Sequence, residues 1–162
     1  MDSKKLTDKK RHYFARLIKE NAKAWAVGRA EACEVDRVNI LQATLLAMTR
    51  AYTQLQITPD WVKVDGTFYP EIASPGETVV QGDSKVAEIS AASILAKVAR
   101  DDEMQTLDGL YPGYGFAKHK GYPTKFHLEK LQILGITEQH RKSFSPVKKQ
   151  LALELSPLGA RI

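Results

Sequence analysis

An α/β domain is the fold class that the sequence predicts, and three observations carry it. Long stretches repeat apolar residues at helical spacing. Between them lie short β-branched runs, and two of these, "WVKVDG" and "VVQGDSK", run out at a carboxylate, Asp65 and Asp83. A long helical segment, "AEISAASILAKVARDDEMQTLDGLY", carries Ser90, Ala91, Ala92 and Ser93, small residues that let a helix backbone approach a sheet closely. The 162 residues, 43% apolar and 27% charged, suit one globular domain large enough to bury a core.

Taken in order, Tyr13, Phe14, Leu17 and Ile18 recur at helical spacing and predict a helix from Thr7, its cap, to about Ala22. "KAWAVGRA" (residues 23–30) alternates small apolar and polar residues and predicts a strand; "EACEVDRVN" after it predicts a turn or short helix. Leu41, Leu45, Met48 and Tyr52 place a second helix over residues 40–54. Pro59 precedes the strand that ends at Asp65, and the Pro-, Gly- and Ser-rich "TFYPEIASPGE" leads to a strand over residues 78–81. The long helix follows, then an aromatic, basic, Gly-rich loop, "YPGYGFAKHKGYP". Thr124 opens a helix to about Leu134, and a last helix has Ser145 at its cap and Pro146 at its first position. Five helices against three short strands make a thin sheet, which predicts that something the fold needs is missing. No internal repeat or low-complexity linker is present.

Charge narrows the partners. Lys and Arg exceed Asp and Glu by five, the pI is about 9.3, and the excess sits in "DSKKLTDKKR", "KHKGYPTKFHLEK" and "QHRKSFSPVKK". Such a balance favours polyanions through counterion release. No apolar run reaches membrane-spanning length, residues 1–10 are charged rather than signal-like, and a cytoplasmic protein is expected. Cys33 is alone, which excludes an internal disulfide and a Cys-rich zinc site.

Asp65 and Asp83 admit two readings. Acids just past strand ends sit where open α/β sheets put their ligands, and a pair of them suits an oxygen-preferring divalent cation. Asp-Gly and Gly-Asp are also ordinary turn dipeptides. Ser84 invites a serine-hydrolase reading with His119, His127 or His140 as base, but nothing in the sequence links any of these to Ser84. No Gly-Lys-Ser/Thr ending exists, which excludes a P-loop. "FAKHKGYPTKFH" interleaves Phe116, His119, Tyr122 and His127 with Lys118, Lys120 and Lys125: a nucleic-acid contact, or a solvated basic loop anchored by buried rings. The histidine spacings match no zinc pattern.

Together "DSKKL", "VDG", "GDS", "EISAASILAKVARD", "YGFAKHKGYPTKFHLEKL" and "HRKSFSPVK" stand in the order found in bacterial ribonuclease HII, and from Asp2 to about Leu151 the chain resembles that family. The resemblance implies a ribonuclease H-like fold, a mixed sheet flanked by helices with a C-terminal helical part. Residues 1–112 would form an incomplete core and residues 113–162 the basic loop and last helices. It implies an endonuclease that cuts RNA in RNA–DNA hybrids and at ribonucleotides embedded in duplex DNA, leaving 5′-phosphates, with Mn²⁺ or Mg²⁺ held by four carboxylates. The third and fourth fall on Asp65 and Asp83. Tyr122 matches the tyrosine that stacks on a deoxyribose, and Ser3, Lys4 and Lys120 fall where the family contacts backbone phosphate. The family's D-E-x-G-R-G segment, bearing the first two acids, does not occur in this sequence. The expectation is therefore an N-terminally truncated form, lacking the first two strands and with Met1 an internal start. It would expose strand edges and apolar surface, where the intact enzyme is monomeric. The alternative is a non-catalytic protein that binds hybrids or duplexes.

Overall fold

The computed structural model describes residues 6–155, which fall into two compact units. One lies within Met1–Arg29 and Thr44–Arg100, the other within Ala30–Ala43 and Asp101–Ile162.

The first unit opens with α1 (Asp8–Asn21), capped as its sequence predicts: the Thr7 hydroxyl accepts the Lys10 N–H. The predicted strand over residues 23–30 does not form; residues 24–31 carry no regular structure. A strand exists through its ladder, and alternation alone supplies no partner. This segment is held instead by close approach to α2 (Ala32–Gln54), where a side chain on Gly28 would overlap the Ala47 carbonyl, and by Arg50 donating to the Arg29 carbonyl at 2.8 Å.

Helix α2 is broken at Asn39 (φ 73°, ψ 168°), whose side-chain oxygen accepts the Gln42 N–H at 3.1 Å. The chain thus makes a short helix and a second helix from Ile40, the two pieces that the sequence predicts, with an Asn cap between them that it does not.

Two strands pair among the described residues. β1 (Val62–Asp65) and β2 (Gly76–Val79) are parallel, with Val62 opposite Gly76 and Asp65 opposite Val79. β2 begins and ends two residues earlier than the sequence suggests, because Gln81 turns into the left-handed region (φ 58°) and stops the run. The crossover is a loop rather than a helix, and hydrogen bonds hold it. Buried Ser74 donates its hydroxyl to the Pro59 carbonyl at 2.5 Å and accepts from Tyr52 at 2.9 Å, while Tyr69 donates to the Ser74 carbonyl at 3.0 Å.

After the single-turn α3 (Gly82–Lys85), α4 (Ala87–Leu110) supplies both cores. In the first unit Ile94, Leu95 and Val98 close on Ala15, with Leu6, Phe14 and Ile18 packed around them. In the second, Met104 and Leu107 pack with Tyr114 and Phe116. That unit also holds α5 (Phe116–His119), α6 (Lys125–Leu134), capped by Thr124 as expected, and α7 (Ser145–Glu154). The cap of α7 is Phe144 rather than Ser145, so Pro146 stands second in the helix; either early position tolerates its missing N–H. Trp61, Phe68 and Val80 are exposed in the first unit. No helix of the described residues is long and apolar enough to cross a membrane.

Candidate functional site

Asp65 is the last residue of β1, and it is exposed. Its carboxylate is not idle: Oδ1 accepts the Gly82 N–H at 2.8 Å. The bond ties the end of β1 to the first residue of α3, supported by the Gly66 N–H reaching the Val79 carbonyl at 3.1 Å. Asp83 is the next residue of α3, half-buried in its first turn, and so belongs to a helix rather than to a strand end. The turn has no room for a larger first residue. A Cβ at Gly82 would stand 2.5 Å from Ile89 Cδ1, which fills the space beneath. Ser84 donates to the Gln81 carbonyl at 2.9 Å and Lys85 to the Val80 carbonyl at 2.7 Å. Ser84 is therefore a turn-forming hydroxyl, which removes the nucleophile reading.

Carboxylate oxygens on adjoining elements suit a hard divalent cation in kind. In number they fall short: among the described residues no group of three or more His, Cys, Asp or Glu is placed to hold a metal ion.

In the second unit, Lys120 and Tyr122 share one turn. Lys120 (φ 53°) and Gly121 (φ 84°) are both left-handed, and Tyr122 is 63% exposed. Beneath it lie His119, His127 and His140, each more than nine-tenths buried. The His119 and His127 rings stack with centroids 4.0 Å apart, and Phe116 meets each edge-on.

Backbone partners fix every tautomer. The Gly121 N–H donates to His119 Nδ1 at 3.2 Å, so the ring proton sits on Nε2 and goes to the Tyr114 carbonyl at 2.9 Å. The Thr137 N–H donates to His140 Nδ1 at 3.0 Å, leaving the proton on Nε2. His127 Nδ1 faces the Tyr122 carbonyl at 2.9 Å and must donate, so its bare Nε2 accepts from His140 Nε2 at 3.2 Å. One relay thus runs from Thr137 through two imidazoles to the Tyr122 carbonyl. Burial, then the neighbouring His127, pushes His140 down to about 4 despite the Thr137 hydrogen bond; burial likewise lowers His127. None of this is a ligand set, because the ring nitrogens are consumed by backbone and by one another.

Cations frame the same segment. The Lys118 and Lys130 ammonium groups lie 5.9 and 5.3 Å from the Phe126 ring centre, and Lys125 pairs with Glu129 at 3.9 Å. Behind the next turn, the Asp36 carboxylate accepts the amides of Lys142 and Ser143 and the Ser143 hydroxyl, at 2.6–2.9 Å. Burial opposes that charge, but the Ser143 and Lys142 hydrogen bonds and nearby Arg141 outweigh it and hold the carboxyl below its ordinary range.

Of the residues the sequence singles out, Asp65 stands beside the turn that carries Asp83, in the first unit, while Lys120 and Tyr122 share a turn in the second. Ser3 and Lys4 lie outside the described residues. Sequence reasoning missed the Asp65–Gly82 tie, the histidine relay and the Asp36 clamp. The last joins residues more than a hundred positions apart, which no spacing rule reaches.

Comparison with known proteins agrees with this architecture. The ribonuclease H2 from Pyrococcus horikoshii OT3 superposes with a TM-score of 0.78 over 96% of this chain and 82% of that one; at 22% identity the likeness is one of fold. The family model described as Ribonuclease HII matches residues 1–147. With nearly the whole sequence matched, this chain belongs to the ribonuclease HII family.

Proposed function

We propose that the chain is a metal-dependent endoribonuclease that cuts the RNA strand of RNA–DNA hybrids and at ribonucleotides embedded in duplex DNA, leaving 5′-phosphate ends. The observation that carries this reading is the bond from Asp65 to the Gly82 amide, which brings the β1 carboxylate to the turn bearing Asp83. Asp65 and Asp83 would hold Mg²⁺ or Mn²⁺ together with further ligands. A bound ion would polarise the scissile phosphate and lower the pKa of a water. The chain's own contribution is positional: the Gly82 N–H fixes the Asp65 carboxylate, and Ile89 holds α3 against the strand end. Lys120 would meet backbone phosphate, with Ser3 and Lys4 as further contacts, and Tyr122 would stack on a sugar.

The test is a nicking assay of the 162-residue chain on a DNA duplex carrying one ribonucleotide, with Mg²⁺ or Mn²⁺ supplied. Cleavage 5′ to the ribonucleotide is expected, falling at least about a hundred-fold in Asp65→Asn. Undiminished cutting by that variant would remove Asp65 from the site. A second reading, a protein that binds such duplexes without cutting, is favoured by the fact that among the described residues no three His, Cys, Asp or Glu are grouped to hold a metal ion. It predicts metal-free binding that falls steeply with salt and is indifferent to Asp65→Asn.

A further inference from the structure

We infer that His127, with His119 and His140 around it, is a positioning residue that holds the turn of residues 120–124 so that the Tyr122 ring is presented to nucleic acid. The inference rests on the reading above in one respect, that Tyr122 touches substrate.

The middle of the turn depends on side-chain support. It places two successive left-handed residues, one of them Lys120, and sends a large aromatic ring into solvent. Backbone bonds anchor its two ends: Lys120 N–H to the Phe116 carbonyl at 2.8 Å, Tyr122 N–H to the His119 carbonyl at 2.9 Å and Thr124 N–H to the Tyr122 carbonyl at 2.8 Å, with Thr124 capping α6. The bond to the Gly121 N–H, at the left-handed pair, and a second bond to the Tyr122 carbonyl are supplied by imidazoles. His119 takes the Gly121 N–H, and His127 gives its proton to the Tyr122 carbonyl. His140 then fixes His127, since a proton on its Nε2 forces His127 to present a bare nitrogen there and its N–H to Tyr122. A hydrophobic filler of the same volume could pack against Phe116 but could not set the two backbone groups that flank the Tyr122 side chain. The rings are therefore placed to fix a surface residue, and their burial keeps water from competing for those bonds.

Two amide substitutions separate positioning from packing. His127→Asn keeps an N–H near the Nδ1 place and so keeps the Tyr122 tie. His127→Gln keeps an acceptor near the Nε2 place for His140 and loses that tie. Binding is measured on a DNA duplex with one ribonucleotide, without divalent metal. His127→Asn is expected within about two-fold of wild type, and His127→Gln weakened about ten-fold, the worth of one well-placed hydrogen bond. In a Tyr122→Ala background His127→Gln should cost nothing further, because the bond acts through that ring. Amide exchange at Gly121 and Tyr122 should quicken in His127→Gln and not in His127→Asn.

Equal losses in both variants, or a full additional loss in the Tyr122→Ala background, would reduce the cluster to packing and overturn the proposal. So would nitrogen NMR showing His127 protonated on Nε2 rather than Nδ1. A wild-type chain that binds no such duplex would overturn the functional reading alone, and the exchange rates would still decide whether His127 positions the turn.

Discussion

Gly82 shows how little freedom the candidate site has at the scale of one residue. Its amide serves Asp65, and the space where a side chain would stand belongs to Ile89. Gly82→Val must push Ile89 aside or lift the amide from the carboxylate. The expected cost is about 1–3 kcal/mol, read as a lowered denaturant midpoint, with metal-dependent cutting reduced further than stability alone explains. Most of the site is legible as residue types and little of it as contacts. Asp65 stands out because an apolar run stops at it, and Tyr122 because it interrupts a basic segment. The partner of Asp65 is a backbone amide, and any residue but proline offers one. The histidines point the same way: their spacing excludes a zinc pattern, but each ring's purpose lies in carbonyls and amides that no letter of the sequence marks.

Among the elements, the two threonine caps are plain in the sequence, whereas the cap of α7 and the Asn39 cap are not. Thr7 and Thr124 accept the amides three residues on, and the side chain of Asn39 does the same at the break in α2. The failed strand over residues 23–30 marks the limit of such reading, since a strand depends on a neighbour that alternation does not specify. Asn39 also carries a backbone conformation that only glycine adopts freely, at a cost of about 1–3 kcal/mol. Removing its cap in favour of glycine costs only a few tenths. Asn39→Gly is therefore expected to raise the thermal midpoint, and Asn39→Ala, which loses the cap and keeps the strain, to lower it. Unchanged midpoints in both would show that the break is fixed by packing instead.

For the molecule as a whole, buried histidines set the response to acid. His127 and His140 lie below 6.5 in the fold and regain their ordinary value on unfolding, so the unfolded chain takes up protons first as pH falls. Their contribution is complete above about pH 6.5 and is lost on the way down, levelling off near 4, where His140 also charges in the fold. Asp36 behaves differently. Its carboxyl is lowered, so its contribution is present above 3.8 and disappears only in stronger acid. Thermal unfolding followed against pH should show a plateau above about pH 7 and a decline between about 6.5 and 4. That decline should be shallower in His140→Gln, whereas Asp36→Asn should lower the plateau and spare its shape. A profile flat through that interval would mean that the imidazoles are not held neutral.

The division into two units has an optical consequence. Both tryptophans, Trp25 and Trp61, belong to the first unit, and the three buried histidines to the second. Indole emission thus reports on one half of the fold and the resonances of these three imidazoles on the other, His12 being the one histidine of the first unit. The chain carries its own pair of labels, and a single denaturant titration read in both channels distinguishes concerted melting from melting in two stages without a fluorophore being attached.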